Sequence, residues 1–433
     1  MISEWKTARI EDIAEKVGMG PFGSSIKVET YVPFGVPVIN GQHLSGFTVN
    51  DSVGFNYITQ NHAERLKNAL VQRGDIVVTH RGSIGQIAYI PKNSKFKQYI
   101  ISQSQFFIRI DKSKVIPEFL VAYFNTPEGQ HKLLANRSQV GVPSISRPVT
   151  YLRTIEIPVP PLPEQRAIAH ILGTLDDKID LNRRMNETLE AMAQALFKSW
   201  FVDFDPVRAK AEGRDTGLPK EIADLFPDSF EDSELGEIPR GGKVVDFADV
   251  ANHKRQNIQP DQIDSKTPYI GLEHMPRKSI ALSDWSFSDE IESNKSVFTK
   301  GDILFGKLRS YFHKVGVAPV NGICSTDILV LSPIKPEWFG FVLGHASSDS
   351  FVAYTDMGSS GTRMPRTSWE SMKRYKVVLP PLAVTEYHTL QVNLIVEKIL
   401  SNIYESKTLG HLRDSLLPKL LSGEIRSAEF KEE

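Results

Sequence analysis

Two short loops of the 433-residue chain carry residue types that could bind a nucleic acid. They read HRGSIG from His80 and GKLRSYFHK from Gly306, so each combines Arg or Lys with Ser and Gly. Arginine and lysine can bind phosphates or guanine edges, while Ser, Gln and His can reach other base edges. The same composition is typical of an ordinary solvated loop, so loop chemistry alone leaves both interpretations open.

Segments of similar chemistry supply further candidates, among them SQSQFFIRI from Ser102 and SSGTRMPR from Ser359. Arg81 and Arg309 are the strongest single predictions for DNA contact, because a guanidinium can bind either a phosphate or a base edge. The residues predicted to bind DNA are Gln42, His43, His80, Arg81, Ser83, Ser104, Arg147, His274, Lys307, Arg309, Tyr311, Arg363 and Arg366.

The sequence carries no recognisable catalytic motif. GMGPFG from Gly18 formally matches a dinucleotide-binding glycine pattern, but Pro21 interrupts it, no buried strand precedes it and no helix follows. There is no phosphate-binding GxxxxGK[ST] loop, zinc-protease helix, nucleophile elbow or amino-methyltransferase tetrapeptide, and the histidines lack metal-ligand spacing. These absences favour a binding protein with no metal or cofactor of its own over an enzyme.

Composition is that of a globular intracellular protein. Hydrophobic residues make up 40% and charged residues 24%, and the single cysteine, Cys324, excludes an intrachain disulfide. No apolar run approaches the roughly 20 residues of a membrane helix, and the N-terminus lacks the apolar core of a signal peptide. The sequence therefore predicts a cytoplasmic protein with no membrane contact.

Charge is distributed unevenly although the net charge is only −1. Residues 1–150 carry 17 basic against 11 acidic side chains, and residues 240–379 carry 18 against 15. Two mildly basic blocks thus alternate with acidic segments. So small an excess is compatible with nucleic-acid binding but also with ordinary scatter.

A helical pattern occurs twice, about 220 residues apart. VPPLPEQRAIAHILGTLDDKI from Val159 and VLPPLAVTEYHTLQVNLIVEKI from Val378 both place paired prolines before an apolar stripe. The stripe continues at spacings of three and four residues, which marks one face of a long helix. Its first copy includes Ile168, Leu172, Leu175, Ile179, Met185, Leu189, Met192, Leu196 and Trp200.

The blocks that precede the helices also correspond. LVQRGDIVVTH from Leu70 resembles VFTKGDILFGK from Val297, and PVINGQHL from Pro37 resembles PYIGLEHM from Pro268. Two copies at this long period indicate duplication of a strand-rich block.

We therefore predict an α+β fold of two tandem mixed α/β domains, each followed by a long helix. A stripe some 60 Å long needs a partner, and pairing of the two helices as an antiparallel coiled coil supplies one. The alternative is two independent amphipathic helices, each docked on its own block. The predicted segments are 1–157 and 242–379 for the domains, 158–204 and 380–425 for the helices, 205–241 for a linker and 426–433 for a tail.

Over nearly its whole length the sequence resembles the specificity subunits of type I restriction–modification systems. The resemblance rests on GPFGSSIK from Gly20, PVPPLPEQRAIAHILGTLDDKID from Pro158, FKSWFVDF from Phe197, DSELGEIPRGG from Asp232 and LPKLLSGEI from Leu417. It implies two target-recognition domains on an antiparallel pair of helices. The second helix departs from the family pattern, since it begins PPLAVTEYHT where the first copy has Glu164 and Gln165.

The resemblance also implies a function and partners. The chain would bind double-stranded DNA at a bipartite asymmetric site and direct adenine N6-methylation and restriction by partner subunits. Its partners would be two methyltransferase subunits, which use S-adenosylmethionine, and motor–nuclease subunits, which use ATP and Mg²⁺. The most specific motifs supply the residues predicted to bind partners, namely Glu164, Gln165, Trp200 and Phe201. The alternatives are a stand-alone DNA nuclease and a helical scaffold protein.

Overall fold

The computed structural model forms two compact units. It describes residues 5–23, 25–44, 46–138, 141–288, 291–359, 364–421 and 424–425. Unit 1 consists of the described residues within 1–180 and 407–433, and unit 2 of those within 181–406. We call the strand-rich part of each unit its head: residues 6–159 are head 1, and residues 243–379 are head 2.

Head 1 contains twelve strands and five short helices among the described residues. The strands are β1 Lys6–Arg9, β2 Ala14–Met19, β3 Val36–Ile39, β4 Asn56–Ile58, β5 Leu70–Gln72, β6 Ile76–Thr79, β7 Ile87–Tyr89, β8 Gln98–Ile101, β9 Gln105–Ile110, β10 Arg137–Ser138, β11 Ser144–Ile145 and β12 Glu156–Val159. The helices are α1 Ile10–Ile13, α2 Gln60–Arg65, α3 Pro117–Phe124, α4 Pro127–Leu134 and α5 Pro148–Thr154.

Two four-stranded sheets organise head 1, in the orders β2-β9-β6-β7 and β4-β3-β8-β5. Strand β6 reads IVVT and is buried throughout. Successive side chains of a strand point to opposite faces, and accordingly Ile76 and Val78 enter one apolar core while Val77 enters a second. A continuous apolar run therefore forms a strand covered on both faces.

Unit 2 repeats this design and adds elements of its own. Its strands are β13 Phe230–Ser233, β14 Gly236–Pro239, β15 Lys243–Asp246, β16 Ala251–His253, β17 Asn257–Ile258, β18 Pro268–Ile270, β19 Ser286–Phe287, β20 Lys295–Phe298, β21 Ile303–Gly306, β22 Val315–Val317, β23 Gly322–Cys324, β24 Ile328–Pro333 and β25 Lys376–Leu379. Two long helices, α6 Leu162–Phe201 and α12 Leu382–Leu421, contribute residues to both units. The shorter helices are α7 Asp205–Ala211, α8 Lys220–Ala223, α9 Phe339–Ala346, α10 Asp349–Met357 and α11 Trp369–Met372.

Strand order confirms that the heads are duplicates. The sheet β16-β24-β21-β22 of head 2 matches β2-β9-β6-β7 of head 1, and β20-β23-β18-β19 matches β5-β8-β3-β4. Each head contains one parallel strand pair in the second sheet, β3 with β8 and β18 with β23. The predicted α+β class and the two tandem domains are confirmed.

The long helices pair antiparallel, as predicted. In unit 2, Asn182 Nδ2 donates to Glu405 Oε2 at 2.9 Å and Asn402 Nδ2 donates to Asn186 Oδ1 at 2.8 Å. In unit 1, Arg413 Nη1 donates to Asp176 Oδ1 at 2.6 Å. Partner numbers fall along α12 as they rise along α6, which defines an antiparallel register.

The segment predicted to be a linker is folded. It contains α7, α8 and the hairpin β13–β14, and it contributes Val207, Phe226 and Ile238 to the buried interior. Val207 and Phe226 belong to the same apolar core as Trp200. The segment is part of unit 2 because its few apolar residues pack on that unit's core.

A buried carboxylate ties α6 to head 2. Glu190 is 6% exposed, and its two oxygens accept from Ser279 Oγ at 2.8 Å and from the Ile280 amide at 3.0 Å. Burial raises the pKa of Glu190, against the lowering effect of these hydrogen bonds. Head 2 is thus hydrogen-bonded to the helix, in addition to its apolar contacts.

Candidate nucleic-acid interface

In head 1 the candidate loop connects β6 to β7. The Thr79 amide donates to Gln86 O at 2.9 Å, and the Gly85 amide donates to Thr79 O at 3.0 Å, which closes the loop. Gly82 and Gly85 adopt φ of +85° and +89°, a region that glycine enters without the steric cost of a Cβ. The loop therefore exposes Arg81 and Ser83 at its tip.

His80 ties this loop to two other segments. Its amide donates to Ser104 O at 2.9 Å, and its carbonyl accepts from the Ile145 amide at 2.8 Å. The Nε2 atom lies 3.2 Å from Gln103 O, so the half-buried ring is held by the turn between β8 and β9. Burial lowers the pKa of His80, and the charge of Arg81 lowers it further. Three predicted residues, His80, Arg81 and Ser104, are thereby brought together.

Head 2 builds its loop on the same backbone hydrogen bonds. The Lys307 amide donates to Asp327 O at 2.9 Å, and Lys307 O accepts from the Thr367 amide at 3.0 Å. Lys307 is therefore the counterpart of His80. The Gly82 amide donates to Pro143 O at 2.9 Å, and the Arg309 amide donates to Pro365 O at 2.7 Å, so Arg309 stands where head 1 has Gly82.

Two residues of the head 2 loop adopt backbone conformations that favour glycine. Arg309 and His313 have φ of +52° and +51°, where head 1 has Gly82 and Gly85. Left-handed residues other than glycine carry a backbone cost and concentrate at functional sites. The Arg309 guanidinium lies 5.9 Å from the ring centre of Phe312, and Tyr311, which packs on the same ring, is 51% exposed.

A second segment lies beside each loop. Arg81 forms an isolated β-bridge with Ser144, and Leu308 forms the equivalent bridge with Arg366. Arg366 Nε donates to Asp327 Oδ1 at 3.1 Å. Arg366 is among the residues predicted to bind DNA, whereas Ser144 and Asp327 are not, although the parallel between PSIS from Pro143 and PRTS from Pro365 is visible in the sequence.

Arg147 and Arg363 complete the predicted basic residues of these segments. Arg147 is exposed, with φ of +44°, immediately before α5. Arg363 lies outside the described residues.

His43 and His274 lie in matching 3₁₀ turns of the two heads and differ in how deeply they are buried. His43 Nδ1 accepts from the Asn40 amide at 3.0 Å, and His274 Nδ1 accepts from the Gly271 amide at 2.9 Å. His43 is fully buried and stacks on Phe55 with ring centres 4.2 Å apart, and burial lowers its pKa. This burial argues against the predicted DNA contact of His43, whereas Gln42 is exposed and His274 is half-buried.

Three of the four residues predicted to bind partners are buried inside their own unit. Gln165 is fully buried in unit 1, where it accepts from the Ile116 amide at 2.9 Å and donates to Lys114 O at 2.9 Å and Pro160 O at 2.8 Å. Trp200 and Phe201 are each 5% exposed in the core of unit 2. Their motif specifies packing, so the predicted direct contacts of these three are not supported. Glu164 remains half-buried.

Within the described residues, no group of His, Cys, Asp and Glu side chains could hold a metal ion. None of the helices described is long and apolar enough to cross a membrane. Cys324 is buried and free.

Comparison with known proteins identifies the family. A sequence model described as the type I restriction modification DNA specificity domain matches residues 2–191. The MjaIX specificity subunit of Methanocaldococcus jannaschii is 27% identical, over 99% of this chain and 95% of its own length. The HindI specificity subunit of Haemophilus influenzae is also 27% identical, over 82% and 87%. Over nearly its whole length the chain is thus similar to type I restriction–modification specificity subunits.

The fold agrees with this similarity. The crystal structure of a specificity subunit from M. genitalium superposes with a TM-score of 0.55 at 16% identity, covering 96% of each chain. The chain is therefore a non-catalytic specificity subunit, which directs DNA recognition within a type I restriction–modification complex. Its matched loops are the features of this fold whose residue chemistry suits that task.

Proposed function

We propose that this specificity subunit recognises a bipartite, asymmetric DNA site, with one half-site bound by each head. The observation that carries the proposal is the pair of matched loops. They share backbone hydrogen bonds at three positions, yet present different side chains: Arg81 and Ser83 in head 1, and Lys307, Arg309 and Tyr311 in head 2. Two loops that share backbone hydrogen bonds but present different side chains suit two half-sites of different base sequence.

The cations of both loops, exposed Arg81 and half-buried Lys307 and Arg309, would bind phosphates or guanine edges, and the hydroxyls beside them would reach other base edges. Together with Gln42, Ser104, Arg147, His274, Arg363 and Arg366, these residues form the proposed DNA-binding set. Arg366 forms an ion pair with Asp327, so phosphate binding by Arg366 would have to compete with that pair.

The chemistry would belong to the partners. Two methyltransferase subunits would flip out an adenine on each strand and transfer a methyl group from S-adenosylmethionine. Motor–nuclease subunits, which use ATP and Mg²⁺, would restrict unmodified DNA. Of the residues predicted to contact a methyltransferase subunit, half-buried Glu164 at the start of α6 is retained.

The test is a methylome. The chain is expressed with its methyltransferase subunit in a host that lacks DNA methylation, and the DNA is sequenced for N6-methyladenine. We expect a two-part motif with a fixed nonspecific gap. An assembled complex that produces no new methylation, or methylates a single undivided motif, would contradict the proposal.

A further inference from the structure

Head 1 exposes two phenylalanines in the same tripeptide. Pro-Phe-Gly occurs at residues 21–23 and again at 33–35, and Phe22 and Phe34 are 78% and 88% exposed. Single exposed apolar residues are common on protein surfaces, so exposure alone assigns them no role. Their positions relative to the candidate loop distinguish them.

Phe22 follows a backbone segment pressed against the support of the DNA-binding loop. The Gly20 amide donates to Gln105 O at 2.9 Å, and a Cβ at Gly20 would lie 1.9 Å from Ser102 O, so no side chain fits there. The turn that Gly20 contacts, residues 102–105, is the one whose carbonyls bind the amide and the ring of His80. Phe22 therefore lies two residues after Gly20, which packs against the turn that holds His80, the residue before Arg81.

Phe34 lies at the far end of a strand. Gly35 packs on β4, where a Cβ would lie 2.2 Å from Ile58 O. Strand β3 follows at Val36, and only its last residue reaches the turn, through Ile39 O and the Ser102 amide at 2.9 Å. Four strand residues span about 13 Å, so Phe34 is separated from the loop by the length of β3.

The turn that carries Phe22 is fixed by its own hydrogen bond. Ser25 Oγ donates to Phe22 O at 2.8 Å. Gly23 has φ of +63°, and beyond its chain neighbours none of the described residues lies within 4 Å of a Cβ built there. Phe22 thus presents an apolar ring to solvent two residues after Gly20, which packs against the turn that holds His80.

We propose that Phe22 contacts bases of the first half-site, an inference that rests on the proposed function. Arg81 draws the negatively charged backbone to this surface, but a phenyl ring gains nothing from phosphate. The DNA groups that suit it are the thymine methyl in the major groove and the faces of a partly unstacked base step. Head 2 places an exposed aromatic, Tyr311, on the loop itself, so the heads reach their half-sites with aromatics from different segments.

The test compares Phe22→Ala with Phe34→Ala, a control with the same tripeptide and similar exposure. Each variant is assembled with its methyltransferase subunits and titrated into a fluorescent duplex that carries the motif found in the methylome. We expect Phe22→Ala to weaken binding of this duplex by about fivefold or more, the scale of one base–aromatic contact. Binding of a scrambled duplex, and all binding by Phe34→Ala, should stay within about twofold of wild type by the same scale.

Modified duplexes then identify the group that is contacted. If Phe22 touches a methyl group, exchange of that thymine for deoxyuridine should weaken DNA binding by the wild-type complex but have no further effect on DNA binding by the Phe22→Ala complex. If Phe22 unstacks a base step, 2-aminopurine at the step should brighten with wild type and not with Phe22→Ala. Either result supports base contact.

Equal affinity of Phe22→Ala and wild type for the specific duplex would overturn the inference. So would loss of the methyltransferase subunit from the Phe22→Ala complex, which would place the ring in a protein interface. A wild-type complex that prefers no two-part site would instead refute the proposed function itself, so the two failures are distinguishable.

Discussion

At the residue scale, Arg81 is the most direct test of the head 1 loop. Its backbone is fixed on one side by the bridge to Ser144 and on the other by left-handed Gly82, while its side chain is exposed. We predict that Arg81→Ala weakens binding to DNA. If Arg81 binds a phosphate, the loss is uniform across sequences and the slope of log K against log salt falls by about one. If Arg81 binds a guanine edge, the loss is about 1–3 kcal/mol and confined to the first half-site.

The measurement is a salt titration of binding to specific and scrambled duplexes. Arg65→Ala is the matched control, since Arg65 is an exposed arginine of the same head on α2. Coincident plots for wild type and Arg81→Ala would remove Arg81 from the binding set.

Residue types predicted the candidate loop of head 1, but they could not show which of its candidate side chains are exposed and which are buried. His43 and His80 look alike in the sequence, yet His43 is fully buried on Phe55 and His80 is half-buried beside the exposed Arg81. The difference arises from tertiary contacts of residues far apart in the chain. Trp200 was taken for a partner contact for the same reason, because a motif required for packing looks the same as one required for binding.

At the scale of elements, the helix pair contains a buried polar layer. Asn182 and Asn402 are fully buried and Asn186 is 8% exposed, in a face that otherwise packs through residues such as Ile399 and Ile403. Asn186 also donates from Nδ2 to Ile399 O at 3.5 Å. A buried amide pair within an apolar seam is a recognised means of fixing helix register at a cost in stability.

We predict that Asn186 and Asn402 are strongly coupled in stability. Asn402→Leu removes the donor for Asn186 Oδ1 and should cost about 1–3 kcal/mol, the price of an unpaired buried acceptor. Replacement of both by Leu should restore or exceed wild-type stability, because neither of these two amides is then left unpaired. The free energy of unfolding of the four proteins of this double-mutant cycle gives the coupling. Thr188→Leu, at an exposed position of the same helix, is the control.

Additive losses in the two single variants would contradict this prediction. They would mean that the amides contribute separately, with water completing their hydrogen bonds.

Element periodicity was predictable where one pattern dominates. The stripe through Leu189 and Leu196 predicted α6, and its repetition predicted the antiparallel partner. Proline removes a backbone hydrogen bond inside a helix, yet α12 continues past Pro418 to Leu421. Leu417 and Leu420 are buried in the core of unit 1 on either side of Pro418, and this packing offsets the lost hydrogen bond.

At the scale of the whole molecule, duplication was readable from the sequence because it left the same turn chemistry twice. Gly-Asp-Ile introduces both β6 and β21, and the proline pairs precede both long helices. Counted from this shared Gly-Asp-Ile, Arg309 already falls at the position of Gly82 in the sequence, and Leu308 at that of Arg81. Loop 306–314 is one residue longer than loop 79–86, and only the backbone hydrogen bonds reveal that the extra residue lies after Arg309.

If the paired helices set the distance between the half-sites, their length should determine the nonspecific gap. Helices α6 and α12 pass from one unit to the other after residues 180 and 406. A heptad inserted at both points keeps the apolar faces aligned and adds about 10 Å. That length corresponds to about three base pairs at 3.4 Å each, so the methylome should show unchanged half-sites with a gap longer by about three. Three base pairs also rotate the duplex by about a third of a turn, so affinity should fall even at the new gap. Insertion into α6 alone misaligns the pair and should abolish specific methylation, whereas an unchanged gap after the double insertion would refute a measuring role for the helices.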